Sequence, residues 1–330
     1  MKHPWTYLTL AGAALAALLL LGPGLLPSVG LPGGMAATTY AADAAGPAYL
    51  DASFLRNSYW YDGSAEINLY EATLTMYGAP RQADEVAHVV VSERHQPDSL
   101  VKADDWRAPG LVEMIKLNYV TRVQTGIYPY QQMLSFFFRQ NDARLAKMTL
   151  TSNEWCGNSF KELVNDGRAP HYRYNTYWDG QGHGAYELAE DAFPAGMTVY
   201  EALPVHLRAL PFRDGLRVEL PLLPRQLTSR VQPPSIETAT LDVHGPIEFE
   251  VPAGTYASWQ VALDHAGGRD TLYFERDFPH RLLAWDSAFG HTFRLRTSAK
   301  LPYWQLNGVG GEEALAFVGD RIRGADAAGR

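Results

Sequence analysis

Apolar and polar residues alternate over many short runs of this chain, and turn-forming residues separate the runs. In the clearest run, Ala65–Met76 (AEINLYEATLTM), Ile67 and Leu69 share one face, whereas Tyr70 and Leu74 share the other. Because successive side chains of a strand point to opposite faces, a period of two predicts strands. The change of face within the run predicts a bulge, or a strand that is lined on both sides.

The same alternation recurs along the chain and predicts an antiparallel β protein. Turn sequences such as Asp179-Gly180 and Phe289-Gly290 separate the runs at short spacing, which is typical of a sandwich or of an open or closed barrel. Pro204 limits the best helical candidate, Thr198–Ala209, to one or two turns. We therefore expect a mainly β fold, a large antiparallel sheet assembly with little helix. The other predicted strands are Val86–Ser92, Val112–Leu117, Gln131–Arg139, Leu145–Ser152, His171–Trp178, Leu216–Leu222, Glu237–Val243, Ile247–Val251, Ala257–Leu263, Asp270–Arg276, Arg281–Asp286 and His291–Ser298.

Prolines concentrate in one segment. Seven of the 21 prolines fall between residues 192 and 234, which forms a seam between an N-terminal and a C-terminal part. Edge strands and crossover loops explain such a cluster without a second domain. At 330 residues the chain could hold one large domain or two. We expect a single antiparallel β domain over residues 47–305 and, from its Gly, Ala and charged residues, a flexible tail over 306–330.

The N-terminus has the pattern of an export signal. Lys2 precedes an unbroken stretch of Leu, Ala and Gly over the twelve residues Leu10–Leu21. As a helix this stretch reaches roughly 18 Å, short of the roughly 30 Å hydrocarbon core of a membrane. We predict a signal peptide over residues 1–41, with a retained membrane anchor as the alternative. The protein is then periplasmic or extracellular or, if anchored, held at the inner membrane. The candidate cleavage sites follow Gly30, Ala41 and Ala44.

Charge and cysteine content exclude several function classes. Lys and Arg number 28 against 36 Asp and Glu, a net charge of −8, so we expect no nucleic-acid partner. One Cys in the whole chain excludes a disulfide framework, and also zinc or iron–sulfur sites that need several thiolates.

The familiar catalytic and cofactor motifs are absent from the sequence. The segment closest to a Gly-x-Ser-x-Gly nucleophile elbow, Gly157–Lys161, lacks the second Gly. Gly180–Gly184 is rich in glycine like a phosphate-binding loop, but no helix follows it, and it is typical of a hairpin tip. Asp179, His183 and Glu187 would share a metal only if that hairpin brought them together, and we favour a solvated turn. The sequence therefore predicts no catalytic residue, no metal ligand and no cofactor.

Cys156 is the most tempting single residue. A thiolate nucleophile needs a nearby base and a lowered pKa, and no His stands at a spacing that pairs it with this Cys. A lone Cys beside Trp155 is usually a small buried apolar group. We favour that interpretation, with a reactive thiol as the alternative.

Aromatic residues form pairs on or beside the predicted strands. Adjacent residues of a strand point to opposite faces, so at least one member of each pair faces away from the core. β propensity and core filling explain the pattern, and the sharper hypothesis is an aromatic-lined concave surface for sugar rings or an apolar ligand. The candidate ligand-binding residues are Tyr59, Trp60, Tyr128, Tyr130, Trp155, Trp178 and Trp304.

Several ordered motifs resemble an uncharacterised family of exported bacterial proteins that often carry the label "septum formation inhibitor Maf". The resemblance spans about residues 53–305. The C-terminal stretch from Glu250–Tyr256 through Trp285-Asp286 is also similar to a second uncharacterised, β-rich periplasmic family. Neither resemblance implies a demonstrated reaction or ligand. The motifs of the first family are Tyr59–Ile67, Val101–Asp104, Lys116–Asn118, Thr125–Tyr130, Glu154–Gly157 and Pro302–Gln305.

The Maf label itself implies a cytoplasmic α/β nucleotide pyrophosphatase. That family opens with a Ser-x-Ser-x-Arg-type substrate loop, and no such loop stands near the expected mature N-terminus. The alternating strands and the export signal point to a different protein. We interpret the label as a name and not as a function.

These observations favour an exported cell-envelope protein that binds a ligand or serves a structural role and is not an enzyme. The ligand would be apolar or a glycan, and the N-terminal segment could associate with a membrane. One alternative is an envelope hydrolase whose Asp, Glu or His residues are assembled by the fold. Asp104 and Asp105, beside Trp106, are expected in an exposed loop and not as an acid–base pair, because adjacent carboxylates diverge. Another alternative is an adaptor that binds a protein through a sheet edge.

Overall fold

The computed structural model describes residues 47–166, 170–189, 193–194 and 196–315. The predicted signal segment, residues 1–41, and the end of the predicted tail, residues 316–330, lie outside these ranges. Within the described ranges no helix has both the length and the apolar character needed to cross a membrane.

The fold is mainly β, as the alternation predicts, and its strands form one 16-stranded sheet. The short helix α1 (Leu203–His206) has a 3₁₀ turn on either side, Tyr200–Ala202 and Leu207–Ala209. Further 3₁₀ turns span Phe54–Arg56, Ser58–Tyr61, Tyr303–Gln305 and Gly311–Leu315. The strands are β1 (Ala65–Met76), β2 (Ala79–Gln82), β3 (Glu85–His95), β4 (Val112–Thr125), β5 (Tyr128–Arg139), β6 (Leu145–Glu154), β7 (Gly157–Val164), β8 (His171–Asn175), β9 (His183–Glu187), β10 (Thr198–Val199), β11 (Arg217–Leu223), β12 (Glu237–Val251), β13 (Gly254–His265), β14 (Gly268–Glu275), β15 (Leu282–Asp286) and β16 (Thr292–Leu301).

Most neighbouring strands of the sheet are consecutive in sequence and antiparallel. The strand order runs from β10 through β16 to β1, then from β3 to β9, with β2 paired to the end of β1. The β10–β11 pair is parallel. Among the described residues β9 and β10 do not pair with each other, so the sheet is open.

Strand β1 joins the two halves of the chain. It pairs with β3 from Glu66 to Leu69 on one side, and with β16 from Ala65 to Thr73 on the other. The register with β16 shifts between Leu69 and Tyr70, where the sequence pattern changes face. The predicted bulge is therefore confirmed.

One face of the sheet packs on a single hydrophobic core to which nearly all the longer strands contribute. Residues 200–210 are all buried against that face. They belong to the Pro-rich seam, so the seam is the segment that crosses the core. The predicted helical segment Thr198–Ala209 is present, but it has three successive short turns, Tyr200–Ala202, α1 and Leu207–Ala209, and not one or two. Pro204 does not interrupt it, because it lies in the first turn of α1, where no backbone N–H is needed.

The predicted strand boundaries need three kinds of correction. The predicted strands Glu237–Val243 and Ile247–Val251 form one strand, β12, in which the register shifts where Pro246 has no N–H to donate. The predicted strand His171–Trp178 ends at Asn175, because the next residues turn into β9. Strands β2, β7, β9 and β10 were not predicted; three of them have five residues or fewer, too short to establish a period.

Alternating strand directions place the connections at two opposite ends of the strands. Strands β1, β4, β6 and β8 run the same way, so the turns that follow them lie at one end, which we call the tip end. The segment before β1, the β3–β4 loop and the segment after β16 lie at the other end, which we call the cleft end.

Candidate functional site: an aromatic-walled cleft

At the cleft end, three segments that are distant in sequence enclose a cavity of about 450 Å³. The segment before β1 contributes Tyr61, the β3–β4 loop contributes Trp106, and the turn after β16 contributes Trp304. All three rings are exposed, Trp106 to 55%. The remaining lining combines apolar and polar residues: Trp60, Gly63, Val91 and Ala103, with Ser64, Ser92, Glu93, Arg94, Lys102 and Asp104.

Two guanidinium groups lie close to the Trp106 ring. The Arg107 carbon Cζ lies 4.2 Å from the centre of the Trp106 ring, and that of Arg94 lies 5.9 Å away. Arg94 donates from Nη1 to the Trp106 carbonyl at 3.1 Å and from Nη2 to Glu113 at 2.8 Å. Tyr61 donates its hydroxyl to the other oxygen of Glu113 at 3.1 Å. Two walls of the cleft are therefore tied to the same carboxylate.

The charged centre of the cleft is Glu93, whose carboxylate lies among three basic side chains. His95 Nε2 lies 3.2 Å away, Lys102 Nζ lies 3.6 Å away, and Lys116 also donates to it. Burial acts to raise the pKa of Glu93, but the His95 hydrogen bond and the Lys116 ammonium outweigh it and lower the pKa to about 2. Glu93 is therefore a carboxylate at every physiological pH, an acceptor and not a proton donor.

Beneath the cleft, Trp60 and Tyr59 belong to the packed interior. Trp60 is only 2% exposed and donates Nε1 to the Phe54 carbonyl at 2.9 Å. Tyr59 packs edge-on against Trp60 and donates its hydroxyl to Glu66 at 2.7 Å. Lys300 lies 4.1 Å from the centre of the Tyr59 ring. These two predicted residues therefore support the cleft, and only Trp60 reaches its lining.

A buried ion pair fixes this support to the core. Arg208, from the turn after α1, donates to both oxygens of Glu66 at 2.7 and 2.9 Å, and to the Pro279 carbonyl at 2.8 Å. Burial acts to raise the pKa of Glu66, but the Arg208 guanidinium prevails and lowers it to about 2. Since both side chains are almost fully buried, the pair fixes strand β1 to the crossing segment in one geometry.

The other four predicted residues, Tyr128, Tyr130, Trp155 and Trp178, lie at the tip end. Tyr77, in the β1–β2 turn, hydrogen bonds to the hydroxyls of Tyr128 and Tyr130. Tyr128 stacks on Trp155 with ring centres 5.9 Å apart. Burial, with the Glu154 carboxylate and the Tyr77 hydroxyl beside it, raises the pKa of Tyr130.

The row continues along the next turn. The Tyr177 ring covers Gly157 so closely that a Cβ there would lie 2.5 Å from it. Trp178 packs edge-on against Tyr177, donates Nε1 to Ser229 at 3.1 Å, and carries Arg230 4.2 Å above its ring. We call this row the tip ridge: Tyr77, Ile127, Tyr128, Tyr130, Trp155, Tyr177 and Trp178.

The seven predicted ligand-binding residues thus divide between the two ends of the strands. Trp60 and Trp304 line the cleft, Tyr59 supports it, and the others belong to the tip ridge. Ligand binding by any of them stays a prediction. Sequence reasoning did not select Tyr61, although it stands next to Trp60, or Trp106, whose position in an exposed charged loop was the available signal.

The preferred interpretation of Cys156 is wrong. The residue is exposed, in the two-residue turn between β6 and β7, because the chain reverses there and projects its side chain outward. The expected exposed loop at Asp104-Asp105-Trp106 is confirmed. Among the described residues no group of three or more His, Cys, Asp or Glu side chains could hold a metal ion.

A larger groove of about 650 Å³ runs along the other face of the sheet. Its apolar part comes from Ile67, Leu69 and Val89 on strands β1 and β3. The chain's own segment from Tyr303 to Ala314 forms one of its sides. The groove is thus a space between the sheet and a later part of the same chain.

No family model and no curated protein matches the chain. A crystal structure of a DUF1089 family protein from Pseudomonas aeruginosa is 16% identical, with a TM-score of 0.33 over 56% of this chain and 93% of that one. A β-barrel-like protein of the domain of unknown function DUF1849 from Brucella abortus is 11% identical, with a TM-score of 0.39 over 72% of this chain and 98% of that one. At this level of similarity neither protein indicates what this chain binds.

Proposed function

We propose that this chain is an exported, non-catalytic binding protein of the bacterial cell envelope, and that it holds a glycan in the aromatic-walled cleft. The supporting observation is the combination of exposed aromatic faces at Trp106, Trp304 and Tyr61 with polar side chains in one cavity. A sugar ring has an apolar C–H face and a rim of hydroxyls, so it suits a site with both kinds of surface.

The size and charge of the cleft support this choice. A volume of about 450 Å³ accommodates one or two sugar rings. Glu93 provides a permanently ionised acceptor, and Lys102 and Arg94 provide donors beside it. Charged partners make stronger hydrogen bonds than neutral ones, which favours sugar hydroxyls over a wholly apolar ligand.

Hydrolysis is less well supported than binding. Glu93 and Asp104 line the same cleft, as an acid–base pair would require. A glycosidase needs one carboxylic acid that keeps its proton near neutral pH. With a pKa of about 2, Glu93 cannot supply that acid and could be only the ionised member of such a pair.

The two terminal strands of the sheet offer the adaptor alternative only short edges. Strand β10 has two residues, both buried, and β9 has five. Recognition by strand addition depends on a row of unpaired backbone groups along a strand, and short terminal strands limit that row.

The test is a glycan array of bacterial envelope oligosaccharides, followed by titration of the bound sugar against the full chain. We expect Trp106→Ala to raise the dissociation constant roughly tenfold, because stacking on the ring contributes about 1 kcal/mol in addition to the burial of its surface. Trp304→Ala should act in the same direction. Trp155→Ala, at the tip end, is the matched control and should leave the affinity unchanged.

Two results would contradict the proposal. One is the absence of any bound sugar, and the other is equal affinity of Trp106→Ala and the parent chain. Mass spectrometry of the recovered sugar separates binding from hydrolysis, since a binding protein returns it intact. The intact mass of the chain from the periplasmic fraction of its host tests export and locates the cut.

A further inference from the structure

The tip ridge is a row of aromatic side chains that the proposed glycan site does not use. It spans four connections at one end of the strands: β1–β2, β4–β5, β6–β7 and β8–β9. Hydrogen bonding and stacking connect Tyr77, Tyr128 and Trp155. Tyr177 packs on Gly157, two residues after Trp155, and Trp178 packs on Tyr177. Ile127 projects from the β4–β5 turn in the same row.

The ridge is unusually exposed for its composition. Ile127 is 81% exposed and Trp155 is 71% exposed, and Tyr77 and Tyr177 are also exposed. Turn positions of this kind favour Gly, Asn or Asp, and Tyr77 even occupies a left-handed conformation with φ of 52°. Neighbouring turns that all carry large apolar side chains indicate a contact surface.

The chemistry of the ridge is amphipathic and nearly uncharged. Its phenol hydroxyls and indole N–H groups accompany apolar rings, the combination enriched at membrane–water interfaces. The turn residues Tyr77-Gly78, Gly126-Ile127 and Trp155-Cys156 carry no charge. Glu154 and Asp179 are acidic neighbours, and Arg230 on Trp178 is a basic one.

We propose that the tip ridge docks into the headgroup region of a lipid bilayer, with Ile127 and Trp155 as its deepest side chains. A row of separate projecting turns enters a fluid headgroup layer without a shaped counterpart, whereas a protein partner would need one. The apolar stretch Leu10–Leu21, typical of an export signal, would bring the chain to the outer side of a membrane. In this orientation the glycan cleft, at the opposite end of the strands, faces away from the bilayer.

The charge pattern specifies the kind of bilayer. With a net charge of −8 and one Arg beside the ridge, electrostatic attraction to anionic lipid does not drive docking. The zwitterionic lipid phosphatidylcholine should therefore suffice.

The experiment is hydrogen–deuterium exchange of the full chain with and without phosphatidylcholine vesicles, read peptide by peptide. The N-terminal segment could bind vesicles by itself, so local protection and not co-sedimentation is the readout. We expect vesicles to slow exchange at residues 76–79, 124–129 and 153–158, but not at residues 102–107 of the cleft loop. In the double variant Ile127→Ser/Trp155→Ser the slowing of exchange by vesicles should be roughly tenfold smaller. The variant removes the apolar side chains that would enter the bilayer. Its unfolding midpoint should match that of the parent chain, since both side chains are exposed.

Three outcomes would overturn the proposal. The first is unchanged exchange at the tips while the chain co-sediments with vesicles, which assigns membrane binding to another segment. The second is slowing that requires added anionic phosphatidylglycerol, which points to basic residues instead. The third is that raising the protein concentration without vesicles slows exchange at the tips as much as vesicles do, which identifies a second copy of the chain as the partner. None of these outcomes depends on whether the cleft binds a glycan.

Discussion

The two ends of the strands use the same aromatic residues in different surroundings. At the cleft end two guanidinium groups lie close to the Trp106 ring, and the carboxylates of Glu93 and Glu66 are neutralised by basic partners. At the tip end Trp155 stacks on the Tyr128 ring, and the Tyr128 hydroxyl hydrogen bonds to that of Tyr77. The Trp106 ring, beside charged groups, suits a ligand with hydroxyl groups, whereas the Trp155 ring, stacked on Tyr128, suits a layer in which charge is costly.

The largest effect is expected from a substitution that removes the ion pair supporting the cleft end. Arg208→Met would leave Glu66 as an unpaired buried charge, so we expect the free energy of unfolding to fall by about 3–5 kcal/mol. Urea unfolding measures the change. Arg217→Met, which breaks the exposed pair with Asp242, is the matched control and should cost less than about 1 kcal/mol. A loss of under 1 kcal/mol for Arg208→Met would show that the pair does not fix the support.

Acid should weaken the cleft end through Glu93. Its pKa is about 2 in the folded chain and near 4.3 in an unfolded one, so its stabilising contribution is complete above about pH 4.3 and is lost as the pH falls toward 2. We expect the stability difference between the parent chain and Glu93→Gln to be largest at neutral pH and to vanish near pH 2. Denaturant midpoints over this range provide the measurement.

This comparison must be made at matched pH, because buried histidines also respond to acid. Burial lowers the pKa of His88 to about 3 and that of His206 to about 4, so both destabilise the parent and the variant alike below pH 6.5. A difference between the two proteins that stays constant from pH 7 to pH 2 would contradict the assignment to Glu93.

A smaller effect is expected at the tip end. In Gly157→Ala the new Cβ would lie within 3 Å of the Tyr177 ring, and the backbone has a φ of 154°. We expect a loss of roughly 1–2 kcal/mol in the free energy of unfolding and displacement of Tyr177 from the ridge. Trp155→Ala should change stability by less than about 0.5 kcal/mol, because the side chain is exposed. Equal losses for the two variants would mean that the ridge is structural support and not a surface.

The sequence was sufficient for the fold class, because a period of two is a local signal. The alternation in β1 predicted both the strand and its bulge, whereas Pro204 did not limit the helical segment to the predicted one or two turns. Short strands such as β10 lack enough residues for a pattern. Cys156 was misjudged, because composition suggests burial and only the turn geometry reveals its exposure.

The cleft was beyond sequence reasoning for a different reason. Tyr61, Trp106 and Trp304 come from segments that pairing of β1 with β3 and β16 brings to one end of the strands. Pairs of aromatic residues marked candidate side chains, but pairing partners in a sheet of sixteen strands are not written in any local pattern. The division of the seven candidates between two ends therefore became visible only with the topology.

The pairing of β1 with β16 also sets the order in which the molecule can assemble. Ala65 lies opposite Leu301, so this edge of the earliest strand stays open until nearly the whole polypeptide has left the ribosome. Closing a loop of that size costs about 5 kcal/mol of chain entropy by the logarithmic scaling of loop closure. Until the C-terminal strands are synthesised, that edge of β1 presents unpaired backbone groups, which is the kind of edge that pairs with other chains.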